Sequence, residues 1–366
     1  MKICYLAPAN SIHTIKWLNA FIEKNYEVHL LTMHPPDHDK LHPNIHLHKL
    51  RYNAPFGYYL NALQAKFLLK KINPDIFHVH YASGYGTLGR FINFRPMLLS
   101  VWGSDVFEFP FQSKSKRNVL KKNLESADQV LSTSYSMKDQ TKSFFIPKRE
   151  IQVTPFGVDT EKFKPAEIVK VEQTITIGII KLLEPVYGIK YLIDAFALII
   201  DELLQGQSDT TPKLKLLIVG HGSQRAELES RARYKGIHEY VDFYGAVPND
   251  NVPSILNKID IFCVPSLSES FGVAVIEASA CGVPVVVSDV GGLPEVVENN
   301  ITGFIVEPKN VNQLAEKLLK LIQNPSMREI MGKSGREFVL EKYNWQDNVN
   351  SMEKIYTEMV ANQSYL

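Results

Sequence analysis

Two glutamates, Glu269 and Glu277, stand in the otherwise small and apolar stretch SLSESFGVAVIEASACGVPVVVS. Glu269 follows the strand-like run DIFCVPS, and Glu277 comes about one turn into the helix that the next residues predict. The first turn of a helix exposes unpaired N–H groups that suit phosphate, and Gly272 allows close approach to that backbone. A carboxylate beside such a site suits a diol such as a ribose. The spacing therefore predicts a phosphate- and sugar-binding site, although two solvated surface glutamates explain it equally well.

The composition is that of a globular protein of two domains. The chain has 366 residues and a formal net charge of +1, so nucleic acid is not an expected partner. Its three cysteines lie in apolar runs without metal or disulfide spacing, which is typical of reduced core residues. The first apolar run is too short for a signal peptide, and no run is long enough to span a membrane. We therefore expect a cytoplasmic protein, with peripheral attachment to the inner face of a membrane as an open alternative.

Short β-rich runs alternate with amphipathic runs along both halves of the chain. This order predicts the α/β class, with two Rossmann-like, doubly wound parallel-sheet domains that face a cleft. The predicted divisions are an acceptor-binding domain over 1–158, a linker over 159–173, a nucleotide-sugar-binding domain over 174–345, and a helix over 346–366 that packs back on the first domain. GYYLNALQAKFLLKKINP predicts one helix ending at Pro74, and GLPEVVEN a short helix.

The stretch PSLSESFGVAVIEASACGVPVVVSDVGGLPEVV resembles the E-x7-E region of retaining glycosyltransferases of family 4, which have the GT-B fold. GIIKLLEPVYGIKYLIDAF, LLIVGHGSQRAELE, VDFYGAV and YNW extend the resemblance over nearly the whole chain, more weakly in the first half. It implies a hexosyltransferase that moves a sugar from a UDP- or GDP-sugar donor to a glycan or lipid-linked acceptor. It also implies no metal or other cofactor, retention of anomeric configuration, and a role in cell-surface polysaccharide or lipopolysaccharide biosynthesis.

The resemblance assigns roles to individual residues. Glu269 would contact the donor sugar hydroxyls, and Glu277 the ribose. Lys181 stands where the family usually has an arginine on the diphosphate. Together with helix-end amides it would replace the metal of other transferases; DHD at 37–39 is expected to be solvated. The backbone amides placed at the donor belong to Phe271, Gly272, Val273 and Ala274.

Three departures from the family pattern bear on sugar identity more than on the reaction class. Tyr187 precedes Gly188 where a lysine is frequent, so the diphosphate would depend more on Lys181. Trp102 in VWGSD replaces a histidine; it could stack on a sugar face but supplies no imidazole chemistry. The usual Gly-Gly of the first loop is PANSIH here, which leaves contact with donor or acceptor to Asn10, Ser11 or His13.

Two interpretations stay open for each of three further residues, His80, Asp105 and Arg225. We expect His78 and His80 of DIFHVHY to face opposite sides of their strand, with His80 reaching the cleft or serving as a structural histidine. Asp105 either orders its own loop or reaches acceptor hydroxyls. Arg225 either begins a helix or contacts the diphosphate.

Lysines and arginines lie near aromatic residues in 58–71 and 113–123. They form either solvated helix faces or a dock on an anionic membrane for a lipid-linked acceptor. Among other functions, a glycoside hydrolase fits badly, because both carboxylates come from one loop and helix. A nucleotide-sugar- or polymer-binding protein without turnover remains the alternative, and Tyr187 and Trp102 motivate it.

Overall fold

The computed structural model describes residues 1–166, 174–205 and 213–363. The chain divides into two compact units, Met1–Pro155 with Gln346–Leu366, and Phe156–Trp345. Of the predicted linker, residues 167–173 lie outside the described part of the chain.

The first unit contains a parallel sheet of seven strands in the order β3-β2-β1-β4-β5-β6-β7. β1 and β4 are neighbours, and the order runs outward from them in both directions, as in a doubly wound fold. The sequence did not predict the edge strands β3 and β7, because one is polar and the other very short. The bounds are β1 (Lys2–Leu6), β2 (Glu27–Thr32), β3 (His46–Lys49), β4 (Ile76–His80), β5 (Met97–Val101), β6 (Gln129–Ser132) and β7 (Gln152–Val153).

The helices between these strands are α1 (Ile12–Glu23), α2 (Gly57–Leu60), α3 (Ala62–Ile72), α4 (Gly84–Ile92), α5 (Ser104–Phe107), α6 (Lys114–Ser126) and α7 (Tyr135–Lys142). The prediction of one continuous helix up to Pro74 was wrong, because α2 and α3 are separated at Asn61. The Asn61 amide donates to the Tyr52 carbonyl at 2.7 Å and accepts from the Tyr52 N–H at 3.0 Å, which ties this break to the preceding loop.

The second unit contains a six-stranded parallel sheet in the order β10-β9-β8-β11-β12-β13. Its strands are β8 (Thr174–Ile180), β9 (Lys213–Val219), β10 (Val241–Gly245), β11 (Ile261–Val264), β12 (Val285–Ser288) and β13 (Gly303–Val306). Its helices are α8 (Ile189–Gln205), α9 (Arg225–Tyr234), α10 (Val252–Leu256), α11 (Val273–Ala280), α12 (Val311–Gln323) and α13 (Pro325–Lys342). GLPEVVEN forms only a 3-10 turn over Leu293–Glu295, since helix nucleation is unfavourable in so short a segment.

The last helix, α14 (Trp345–Gln363), packs against the first unit. The Tyr356 hydroxyl is buried, 3.0 Å from the Tyr5 hydroxyl on β1 and 2.6 Å from Nδ1 of His78 on β4. Glu353 accepts hydrogen bonds from Lys24 at 2.7 Å and Tyr26 at 2.6 Å. Among the described helices, none is long and apolar enough to cross a membrane.

Candidate functional site

The loops that leave β8 and β11 meet at the point where the strand order of the second unit reverses. β8 and β11 pair in parallel, so their carboxyl ends lie at the same edge of the sheet. The loop after β8 carries Lys181, and the loop after β11 carries Glu269. The N–H of Leu267 donates to the carbonyl of Val186 at 2.7 Å, which ties the two loops together. Open α/β sheets bind ligands at this position.

Lys181 and Glu269 form an ion pair with 2.5 Å between Nζ and Oε2. The two side chains are only 14% and 12% exposed, so the pair is largely withdrawn from water. The ammonium also lies 4.8 Å from the centroid of the Tyr187 ring, a cation–π contact. A carboxylate and an aromatic face therefore fix the position of this cation.

The backbone of Glu269 is held by the glycine pair of the loop after β12. Gly291 has φ +53°, and a Cβ there would lie 1.9 Å from the Glu269 carbonyl oxygen. The N–H of Gly292 donates to the same oxygen at 3.0 Å. Only a residue without a side chain allows the loops to approach this closely.

The first turn of α11 begins directly after the β11 loop that carries Glu269. Gly272 precedes the helix with φ +109°, a conformation that favours glycine. The Phe271 ring is buried and lies 5.5 Å from the ring of Tyr343, which anchors the start of the helix. Val273 and Ala274 are partly exposed in the first turn, where backbone N–H groups lack acceptors within the helix. The turn has the properties of a phosphate site.

Glu277 lies four residues after Val273 and three after Ala274, so all three share one face of α11. Its side chain is half-buried. Burial is the main cause that raises the pKa of Cys281 to about 12, and the negative charge of Glu277 contributes next. The spacing thus places a carboxylate one turn beyond the candidate phosphate site.

Arg225 begins α9, and its guanidinium is engaged within the second unit. Nε donates to Glu229 at 2.9 Å, and Nη2 donates to the carbonyl of Phe243 at 3.0 Å. Of the two roles predicted for Arg225, the structure shows the start of a helix.

The prediction that His78 and His80 face opposite sides of β4 was wrong. Side chains two residues apart share one face of a strand, and the two rings lie 4.7 Å apart. His78 is held by Tyr356 and by Ser100, whose Oγ is 2.8 Å from Nε2. Burial lowers the pKa of His78 to about 3. His78 is therefore a neutral core histidine.

His80 is fully buried at the carboxyl end of β4. Its Nδ1 lies 3.3 Å from Oγ1 of Thr14, and its Nε2 has no hydrogen-bond partner in the part of the chain that the structure describes. Burial holds its pKa well below the usual value, and a positive charge on either neighbouring ring, His78 or His13, would lower it further. The buried ring is therefore neutral.

Trp102 packs directly on His80, with 4.2 Å between ring centroids, and is 8% exposed. The His13 and Tyr81 rings lie 6.0 and 5.0 Å from it. The indole is thus covered mostly by neighbouring side chains, which leaves little of its face for a sugar.

Asp105 is buried, and its carboxylate accepts three backbone N–H groups. These belong to Ala82 at 2.8 Å, Trp102 at 3.1 Å and Gly103 at 2.9 Å. Burial raises the pKa of Asp105, and the N–H bonds oppose this rise. Of its two predicted roles, the structure shows the ordering of the loop.

The predicted site residues thus fall into two groups. The second unit brings Lys181 and Glu269 together beside the start of α11, and the first unit brings His80, Trp102 and Asp105 together after β4 and β5. The sequence interpretation missed the contact between Tyr187 and Lys181 and the support that Gly291 gives Glu269. The signal for the second was present in the run VGG.

A separate cluster of metal-ligand types lies on β2 and β3. The ligand atoms of Glu27, His29 and His46 lie within 4.8 Å of one another. Lys2 already forms an ion pair with Glu27 at 3.2 Å, and Nε2 of His29 is 2.9 Å from the same carboxylate oxygen. The cluster lies in the first unit and contains none of the candidate donor-site residues.

Two family models match the chain. The model described as "Glycosyl transferases group 1" matches residues 160–338, and "Glycosyl transferase 4-like" matches residues 2–134. N-acetyl-alpha-D-glucosaminyl L-malate synthase of Bacillus anthracis is 27% identical over 357 residues, covering 92% of this chain and 91% of that protein. A GDP-mannose-dependent alpha-(1-6)-phosphatidylinositol monomannoside mannosyltransferase of Mycobacterium tuberculosis is 29% identical, covering 63% of this chain and 61% of that protein.

Solved structures share the fold. A sucrose-phosphate synthase from Thermosynechococcus elongatus has a TM-score of 0.83 at 22% identity, covering 99% of this chain and all of that one (100%). Anabaena HepE, solved in complex with UDP-glucose, has a TM-score of 0.78 at 18% identity, with 100% of both chains covered.

Proposed function

The chain belongs to the glycosyltransferases of the family 4 type with the GT-B fold, and we propose that it transfers a sugar with retention of configuration and without a bound metal. The donor is a UDP- or GDP-sugar, and the acceptor is a glycan or a lipid-linked glycan at the cell surface. One observation carries the proposal: the Lys181–Glu269 ion pair, which lies at the strand-order reversal beside the start of α11.

The donor diphosphate binds the first turn of α11 in this proposal. The N–H groups of Val273 and Ala274 and the positive end of the helix favour negative charge. Lys181 supplies the full positive charge. As the sugar departs, charge builds on the phosphate oxygen, and fixed donors that face it stabilise the transition state.

Binding of the diphosphate changes the partner of Lys181. The ammonium is bound by Glu269 at 2.5 Å. A diphosphate carries more negative charge than one carboxylate and competes for this cation. Glu269 is then released to accept hydrogen bonds from the sugar hydroxyls. In this proposal the ion pair positions both groups for contact with the donor.

The bond between the anomeric carbon and the phosphate oxygen breaks, and a bond from that carbon to the acceptor oxygen forms on the same face. The acceptor proton passes to a phosphate oxygen of the departing nucleoside diphosphate. This balance requires no protein base. Glu277, one turn along α11, binds the ribose and takes no part in bond breaking.

We assign the acceptor to the first unit, where the segment PANSIH follows the carboxyl end of β1. A lipid-linked or surface glycan acceptor is supported by the name of the mycobacterial relative, which acts on a phosphatidylinositol mannoside. The name of the Bacillus anthracis relative contains L-malate, so a small hydroxy acid belongs in the acceptor screen.

The experiment is a screen of UDP- and GDP-sugars with purified protein, in which released nucleoside diphosphate is measured with and without acceptors. We expect slow donor hydrolysis with one donor, faster release when the right acceptor is present, and an α-configured product by NMR. Nucleotide-sugar binding without release from any donor would instead establish a binding protein without turnover. An inverted product would contradict retention.

A further inference from the structure

Five large apolar side chains of the first unit are exposed on α2, on α3 and on the residue that precedes α2. Leu63 is 83% exposed, Phe56 74% and Phe67 68%. The opposite side of α3 packs Ala65, Leu69 and Ile72 into the core. Single exposed apolar residues are ordinary, but a contiguous set marks an interaction surface. We call this set the apolar ridge; it consists of Phe56, Tyr59, Leu60, Leu63 and Phe67.

Positive charge surrounds the apolar ridge. The sequence contains no aspartate or glutamate from residue 51 to residue 74. Helical spacing places Lys66 three residues after Leu63 and Lys70 three after Phe67, on neighbouring positions of one face. The basic residues of this segment, all exposed, are Arg51, Lys66, Lys70 and Lys71.

The same surface continues across α4 toward α6. The Phe91 ring of α4 is partly exposed and lies 5.9 Å from the ring of Tyr59. Arg90 lies over Phe91 at 4.6 Å, and its Nε donates to Asn123 of α6 at 2.9 Å. The exposed side of α6 is basic as well, with Lys114, Lys116, Arg117, Lys121 and Lys122.

We propose that the apolar ridge inserts into the interface of an anionic phospholipid membrane, with the surrounding lysines and arginines on the lipid headgroups. Large apolar and aromatic side chains on a short helix, bordered by basic residues, match the shallow binding of interfacial helices. Long basic side chains keep their charge at headgroup level while their stems cover apolar surface. A second copy of the chain fits less well, because its like charges would oppose these.

The proposal stands apart from the catalytic assignment, since none of the ridge residues belongs to the candidate donor site. It would bring the enzyme to the surface on which a lipid-linked acceptor resides. Its failure would leave donor chemistry untouched, and failure of the donor assignment would leave membrane binding untouched.

The first test is co-sedimentation of the full chain with vesicles of phosphatidylcholine, with and without phosphatidylglycerol. We expect binding at low salt that requires the anionic lipid and weakens as salt rises. Replacement of Lys66, Lys70 and Lys71 by glutamine should lower the partition coefficient by roughly fivefold per lysine, on the order of 100-fold in all. The matched control replaces Lys258, Lys333 and Lys354, which are also exposed, and should bind like wild type.

The second test separates insertion from charge attraction. The double variant Leu63→Gln with Phe67→Gln keeps every charge and should lose most binding, whereas Tyr234→Gln with Ile330→Gln, equally exposed in the second unit, should not. An environment-sensitive fluorophore on Leu63→Cys should shift to the blue with anionic vesicles, and one on Ile330→Cys should not. Cys4, Cys263 and Cys281 are buried and should not compete for the label.

Three outcomes would overturn the proposal. The first is that wild type stays in the supernatant with anionic vesicles at low salt. The second is that the ridge double variant binds as well as wild type, which would show that the contact depends on charge alone. The third is that wild type binds no vesicles but forms a dimer that Leu63→Gln with Phe67→Gln dissociates, which would identify the ridge as a protein interface.

Discussion

Nζ of Lys181 lies 2.5 Å from Oε2 of Glu269 and 4.8 Å from the centre of the Tyr187 ring. The residues come from loops that follow two neighbouring strands, so the contact depends on the strand order and not on sequence proximity. A carboxylate and an aromatic ring from these two loops thus contact one cation near the first turn of α11. Each residue around this cation can therefore be tested separately.

Lys181→Met should lower kcat on the order of 100-fold, because one preorganised charge donor to the leaving group is lost. The matched control is Lys190→Met, a partly exposed lysine in the same unit that also lies over a tyrosine, at 5.1 Å from the Tyr191 ring. Donor kinetics on both variants provide the measurement. An equal loss of kcat in both variants, or no loss in either, would contradict the assignment of Lys181 to the diphosphate.

Tyr187→Leu tests the contact that replaces a family lysine. It removes a cation–π interaction of about 0.5–2 kcal/mol while keeping an apolar side chain. We expect a fall in kcat of tenfold or less, smaller than for Lys181→Met. Tyr187→Phe, which keeps the ring face, should retain activity. A loss in Tyr187→Phe as large as in Tyr187→Leu would show that the hydroxyl matters instead.

Gly291→Ala should disturb Glu269, since the new Cβ would lie 1.9 Å from its carbonyl oxygen. Gly236→Ala is the matched control, because Gly236 also has positive φ, +71°, but nothing lies within 4 Å of its Cβ position. The control should lose about 1 kcal/mol of unfolding free energy from backbone strain alone. Gly291→Ala should lose more unfolding free energy than this control, and it should also lose activity. Thermal unfolding and donor kinetics of both variants separate the effect of backbone strain from that of the steric clash with Glu269.

Activity should survive EDTA if, as we propose, Lys181 and helix amides take the role that a metal has in other transferases. The cluster of Glu27, His29 and His46 offers a second way for a chelator to act. The EDTA test should therefore be repeated on His46→Gln. Loss of activity in EDTA, with rescue by Mn²⁺ in both proteins, would refute the metal-free diphosphate site.

Acid should destabilise the first unit through His78 and His80. Burial lowers both pKa values, that of His78 to about 3, so the unfolded chain binds more protons below about pH 6.5. Stability is therefore expected to fall as pH drops from about 6.5 toward the folded pKa values, by up to about 1.4 kcal/mol per pH unit for each histidine. His78→Gln should flatten the denaturation profile between pH 7 and 5, while the exposed His38→Gln should not. An unchanged slope in His78→Gln would contradict this account.

Much of this arrangement could be predicted from the sequence. Alternation of buried strands with amphipathic helices predicted the two parallel sheets, and the E-x7-E stretch indicated the loop and helix of the candidate donor site. The side-by-side placement of Lys181 and Glu269 could not be predicted by pattern, because the strand order that creates it is a tertiary property. The break at Asn61 was missed because it depends on an amide that binds the Tyr52 backbone. The two-residue period of a strand places His78 and His80 on the same face, but the sequence interpretation placed them on opposite faces.

The central claim is that Glu269 acts on the sugar and Glu277 on the nucleotide, and calorimetric titration of the nucleoside diphosphate tests it most directly. Glu277→Gln should weaken binding by about 1.5–3 kcal/mol, the value of a hydrogen bond to a charged group. Glu269→Gln should bind at least as tightly as wild type, because Lys181 loses its competing partner, although its kcat should collapse. Loss of nucleotide affinity in Glu269→Gln, with affinity retained in Glu277→Gln, would contradict the account.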